Sequence, residues 1–136
     1  MSGPENLRCY GVLLRGGLVL ISAEKVAGHE VLKFPGGGVE PDETPEAALV
    51  REFMEECSIA VRPVRLLHVP GTLLSPWTHT NYTPVYYLVD GDGDVITPAH
   101  EPVEMRFLEP EAALASGRLA EPEILALRRA LGACES

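Results

Sequence analysis

Positive charge is scarce in this sequence. Eleven Lys and Arg stand against twenty Asp and Glu, a formal net charge of −9. A domain this acidic should repel a nucleic-acid backbone, which is held by clustered Lys and Arg, so no nucleic-acid polymer is expected as a partner. Cysteine is also scarce. Cys9, Cys57 and Cys134 are odd in number, far apart and without metal-ligand spacing, which points to a reducing cytoplasm rather than a disulfide framework. No apolar run approaches the ~20 residues that span a bilayer, so no membrane is expected. The opening residues MSGPENLRCYG carry neither a basic segment nor an apolar one, and no signal peptide is expected.

What is present suffices for a core. The chain has 136 residues, 46% hydrophobic and 23% charged, and is expected to form one domain over 1–136. Arg8 to Leu14 and Leu18 to Ala23 are apolar-rich runs split by Arg15-Gly16-Gly17, a β-hairpin pattern. Val31 to Phe34 is strand-like and runs into Pro35-Gly36-Gly37-Gly38, which reads as a breaker. Pro45 to Cys57 has helical periodicity. Val61 to Val69, Tyr82 to Val89 and Val103 to Leu108 read as strands. Pro110 to Ala115 and Pro122 to Leu131 read as helices opened by proline. Mixed strands and helices without repeats or linkers imply a mixed sheet with helices packed on it.

The segment from Gly36 to Ile59 is the most informative. Thr44 is a plausible N-cap, with Pro45 at the first helical position. At roughly 100° per residue, Glu55, Glu52 and Glu56 fall within about 100° of one another beside Ala48. Leu49, Phe53, Cys57, Val50, Met54 and Ala47 fill the remaining apolar sector. Glu46 falls among them, in the first turn, where an acid suits the helix dipole. The expectation is a core stripe on one face and three carboxylates on the other. Such an arrangement repels itself. A solvated acidic face is the bland explanation. The Gly-rich loop just before the helix favours another, because glycine lets backbone approach a ligand closely. Clustered hard oxygen donors suit Mg²⁺ or Mn²⁺.

The stretch GGVEPDETPEAALVREFMEECSI, Gly37 to Ile59, resembles the Nudix box. Gly37, Glu43, Arg51, Glu52, Glu55, Glu56 and Ile59 occupy its fixed positions. Phe53 stands where the box has an aliphatic residue, and Ser58 where it has Gly. The resemblance extends weakly over the whole chain. Leu32 replaces a common Trp before the box, and Glu24 ends a strand that often ends in Arg. The resemblance implies an α/β/α sandwich with a mixed β-sheet. It also implies hydrolysis of a phosphoanhydride bond in a nucleoside diphosphate linked to another moiety. Glu52, Glu55 and Glu56 would hold Mg²⁺ or Mn²⁺, Arg51 would orient a neighbouring glutamate, and Glu43 would brace the box. The implied partner is a small nucleotide-like molecule; a homodimer stays open. A catalytically silent nucleotide-binding regulator and an isomerase on the same fold are the alternatives.

Weaker signals lie outside the box. Glu101 is a candidate base or fourth ligand, with Glu104 its competitor. Gly37 and Gly38, Lys33 and Trp77 are candidate substrate contacts. Trp77 sits in a polar loop where it could stack on a base or simply pack. Arg15 and His79 are candidate phosphate contacts, and His29 is a weaker one. Asp90, Asp92 and Asp94 have partial calcium-loop spacing, but Val95 stands where Gly is required, so a hairpin turn is expected.

Overall fold

A computed structural model describes residues 6–100 and 102–135, with backbone alone for 133–135. Its strands are β1 (Leu7–Arg15), β2 (Leu18–Val26), β3 (His29–Lys33), β4 (Gly36–Gly38), β5 (Arg62–His68), β6 (Leu73–Leu74), β7 (Asn81–Asp90) and β8 (Glu104–Leu108). The helices are α1 (Pro45–Cys57), α2 (Pro110–Ala115) and α3 (Glu121–Glu135). The sheet is mixed. Its main path runs β3-β2-β1-β7-β5, with β4 on β1, β6 on β7 and β8 on β2. β1 and β7 are parallel, and every other pair is antiparallel. The hairpin at Gly16-Gly17 is present, both glycines having positive φ as a two-residue turn requires.

Alternation along the strands divides the core between two faces. Tyr10, Val12, Val19, Ile21 and Ala23 pack with Ala126, Leu127 and Ala130 of α3 and Ala113 of α2. Cys9, Leu13, Leu20, Val85, Tyr87 and Val89 pack with Ala48, Leu49, Phe53 and Cys57 of α1. Helices therefore cover both faces of one sheet, the α/β/α arrangement.

The breaker reading of Pro35 to Gly38 is corrected. Gly36, Gly37 and Gly38 form β4, opposite Tyr10, Cys9 and Arg8 of β1. Propensity hid this strand, since glycine has little preference for strands. Close approach demands the glycine instead: a Cβ on Gly36 would lie 2.0 Å from the Cys9 carbonyl oxygen, and its φ is +152°.

Candidate active site

Helix α1 begins as its sequence dictates. Thr44 Oγ1 accepts a hydrogen bond from the Ala47 N–H at 3.1 Å, and Pro45 occupies the first turn. The helix ends at Ser58, whose φ of 60° is left-handed. Serine tolerates this because its hydroxyl donates to the Ile96 carbonyl at 2.9 Å, while the Ile96 N–H donates to the Cys57 carbonyl.

The expected division of α1 into a core stripe and an opposite acidic face needs correction. The buried residues are Ala48, Leu49, Phe53 and Cys57, whereas Val50 and Met54 are exposed and Ala47 is too. The buried sector is turned toward Ala48, so Glu52 and Glu56 lie inside it rather than across from it. Glycine makes this possible. A Cβ on Gly37 would come within 2.6 Å of Glu52 Oε1, so the strand leaves a slot that the carboxylate fills. Glu56 Oε1 accepts the Gly36 N–H at 3.0 Å. Phe53 is accommodated the same way: a Cβ on Gly11 would meet its ring at 2.6 Å. Glu46, the acid in the apolar sector, is exposed and takes a hydrogen bond from the Tyr87 hydroxyl.

One guanidinium organises the cluster. Arg51 donates to both Glu43 oxygens at 2.8 Å, to the Gly38 carbonyl at 3.1 Å, to Glu52 at 3.2 Å and to Glu55 at 3.5 Å. Glu40 stands 4.0 Å away. The Arg51 hydrogen bonds hold the Glu43 carboxyl down at about 2. Burial pushes the Glu52 carboxyl up, the Arg51 charge opposes this, and the Glu55 charge adds to it. Four carboxylates thus surround one guanidinium, with the Arg8 charge also acting on Glu52, and Glu56 adds another acid beside them. Among the described residues no three acidic, His or Cys side chains converge closely enough to form a metal cage by themselves.

A cavity of about 330 Å³ opens nearby, lined by Arg8, Tyr10, Glu24, Lys33, Trp77 and Glu123 among others. Lys33 pairs with Glu24 at 2.9 Å, which gives the unexpected acid at the end of this strand a partner. Arg8 donates to the Tyr10 hydroxyl at 2.7 Å. Burial works against the Arg8 charge, but Tyr10, Glu52 and Glu24 together hold its pKa above the ordinary value. None of the α1 carboxylates lines this cavity. The link runs through Arg8, which pairs with Gly38 and feels the Glu52 charge.

Of the candidates from sequence, Lys33 and Trp77 both line the cavity, whereas Gly37 lies against Glu52 and Gly38 pairs with Arg8 and accepts from Arg51. Trp77 tilts against His29, with ring centroids 5.8 Å apart. His79 closes a turn, its N–H donating to the Ser75 carbonyl. Arg15 does not line this cavity. It donates to the Gly91 and Gly93 carbonyls and lies over Phe107, pinning the turn after β7. Glu104 pairs with Arg106 on the sheet face opposite α1, in line with Ala23, whereas Met105 and Phe107 pack on the α1 side. Glu101 lies outside the described residues. The sequence reading passed over Glu123 and Arg8. The signal for Glu123 was its position: it precedes Ala126, Leu127 and Ala130 by three, four and seven residues, which puts an acid on the apolar stripe of α3.

Comparison with known proteins agrees with this geometry. The NUDIX domain profile matches residues 6–128. The RNA pyrophosphohydrolase of Pseudomonas fluorescens (strain SBW25) is 35% identical over 68 residues, 49% of this chain and 43% of that protein. That of Saccharophagus degradans is 40% identical over 50 residues, 37% of this chain and 29% of that protein. The matched stretch thus spans less than half the length of these curated relatives. Among solved structures, the E. coli ORF135 protein superposes with a TM-score of 0.74 at 25% identity, covering 96% of this chain and 90% of that one. An ADP-ribose pyrophosphatase from Streptococcus suis shares the fold, with a TM-score of 0.67 at 21% identity over 96% of this chain and 92% of that one.

Proposed function

The chain belongs to the NUDIX family, and on that premise we propose that it is a divalent-metal-dependent pyrophosphohydrolase acting on a small nucleotide. The observation that carries this reading is the imbalance at α1. One guanidinium serves Glu40, Glu43, Glu52 and Glu55, with Glu56 alongside. An anionic substrate cannot approach such a site until further positive charge neutralises it. Hard carboxylate oxygens fit Mg²⁺ or Mn²⁺, with Glu52, Glu55 and Glu56 the residues that would hold the ion. When bound, it would stabilise charge developing on the phosphate and acidify the attacking water.

The chain's own residues supply the rest. Arg51 fixes Glu52 and Glu55, and its grip on Glu43 ties the loop before α1 to the helix. The Gly36 N–H fixes Glu56. Glu52, half-buried against Gly37 and held by Arg51, is a second candidate to take a proton from the attacking water. Glu101 is retained as a candidate base. Arg8 and Lys33 are the cations placed to meet phosphate oxygens; Lys33 would exchange Glu24 for the substrate.

The printed names of the curated relatives raise a second reading, removal of pyrophosphate from RNA 5′ ends. A net charge of −9 favours the small substrate, since a polymer brings many phosphates to an acidic surface. A panel of nucleoside triphosphates, ADP-ribose, dinucleoside polyphosphates and a 5′-triphosphorylated oligonucleotide, assayed with Mg²⁺, separates the two. Small nucleotides should be cleaved fastest. Glu56→Gln should lower kcat at least ~10²-fold, the scale of losing a main electrostatic stabiliser. A preference for the oligonucleotide would reverse the substrate assignment, and absence of any hydrolysis would favour a silent regulator or an isomerase.

A further inference from the structure

β5 ends the main path of the sheet and pairs with β7 alone among the described strands. Its outer edge is unpartnered, and Val64 and Leu66 are each 53% exposed. Leu66 stands opposite Tyr87, which packs on the α1 side of the sheet. Tyr87 bonds Glu46, and Val50 and Met54 follow Glu46 by about one and two helical turns. Both are exposed, so apolar surface runs from β5 onto α1. The other side of the same edge is charged. Arg65 stands opposite Leu88, which packs on the α3 side. Arg129 of α3 donates to the Leu67 carbonyl at 2.9 Å, with Arg128 beside it in the helix. Arg65 and Arg128 are exposed, and neither pairs with a carboxylate among the described residues. Acids lie at the opposite end of the strand. Asp90 pairs with Arg62 at 3.2 Å, and Asp92 and Asp94 follow it, both exposed. Asp90 is two residues from Leu88 on β7, so it shares the α3 side with Arg65.

We propose that the β5 edge docks a second copy of this chain, the two β5 strands lying antiparallel about a two-fold axis at Arg65. The charge pattern selects that occupant. Such an axis carries the Arg62 end of one copy to the His68 end of the other, and each contact is made twice. Asp92 and Asp94 of either copy then face Arg128 and Arg129 of the other. Val64 and Leu66, one residue on each side of Arg65, meet across the axis, with Val50 and Met54 flanking them. A parallel arrangement would set acids against acids and guanidinium against guanidinium. An anionic polymer would meet Asp92 and Asp94 as well as the arginines, and a purely apolar partner would leave Arg65 covered and unpaired. The contact is one of side chains rather than a continued ladder. β5 shifts register on β7 at Pro63/Arg65 and again at Leu66/His68, and proline offers no N–H, so the outward row of donors and acceptors is broken. Glu52 and Glu56 lie toward β4, away from this edge, so the pairing leaves them open and stands independently of the hydrolase reading.

Sedimentation velocity of the full chain over a wide range of concentration tests this without turnover. A reversible monomer–dimer equilibrium is expected. The double variants Arg65→Glu/Arg128→Glu and Asp92→Lys/Asp94→Lys each set like charges against one another, and each should weaken the dimer at least ~10-fold. Mixed in equal amounts, they should form a heterodimer near wild-type strength, because every reversed charge then meets its opposite. Leu66→Glu brings two like charges beside the axis and should dissociate the dimer as well; it serves if a double variant does not fold, which circular dichroism melts report. A chain that stays monomeric at every concentration overturns the proposal and leaves the edge to a different partner. A dimer that survives Leu66→Glu or both double variants, or a mixture that associates no more tightly than its components, overturns it too.

Discussion

Gly37 and Glu52 are shaped to each other. The glycine is set by the carboxylate 2.6 Å from where its Cβ would be, rather than by a turn. Gly37→Ala should displace that carboxylate while leaving the core untouched, since a flexible side chain can yield. We expect kcat to fall ~10-fold or more with little change in melting temperature; wild-type kcat would show that the slot is not functional. Ser58 illustrates the opposite balance. A left-handed residue with a Cβ costs about 1–2 kcal/mol, and its hydroxyl bond to Ile96 offsets part of this. Ser58→Ala keeps the backbone cost and loses the bond, so it should be the least stable of Ser, Gly and Ala at this position, by about 1 kcal/mol relative to wild type. Chemical denaturation of the three proteins decides it, and an Ala variant as stable as wild type would contradict the compensation.

At the scale of elements, α1 and the strands beneath it explain what the sequence disclosed. β1, β2 and β7 were legible because β-branched and aromatic runs end in glycine turns. α1 was legible because Thr44, Pro45 and Leu49-Phe53-Cys57 satisfy cap and period together. β4 was not, because three glycines have no side chains to show a pattern. The missing Cβ of Gly37 leaves room for Glu52, and the Gly36 N–H holds Glu56, so both acids lie toward the strand while Val50 and Met54 are exposed. Helical projection placed the acids together but could not see the surface they lie on. Glu123 was hidden for a related reason, since an acid in a first helical turn reads as a dipole partner until its burial is known. The α1–β1 contact gives a direct test. Gly11→Ala should be destabilised by about 1–3 kcal/mol through overpacking against Phe53. Adding Phe53→Leu should recover part of that loss. A purely additive double mutant would show that the two positions do not share the space.

The whole molecule combines an acidic surface with a few tightly placed cations, and its stability should depend on pH in two opposed ways. Glu43, held at about 2 by Arg51, contributes stability above the usual carboxylate value of 4.5 and loses it as pH falls toward 2. Glu123 runs the other way. Its folded pKa is about 7 against 4.5 for the free group, so the native state binds the proton more tightly. Stability from that group is full below 4.5, declines as pH rises to 7 and is flat beyond, by at most about 3 kcal/mol. Urea unfolding of wild type and Glu123→Gln at pH 5.5 and pH 8 should therefore show the variant gaining on wild type at the higher pH; a constant difference would contradict the buried acid. None of the described helices is long and apolar enough to cross a membrane. For the small anionic substrate proposed, the obstacle is the α1 cluster itself. The most direct measurement is nucleotide hydrolysis by EDTA-stripped protein as Mg²⁺ is titrated back. The expected result is no turnover without the ion and saturable recovery with it, abolished in Glu56→Gln. Undiminished turnover after EDTA would contradict the account.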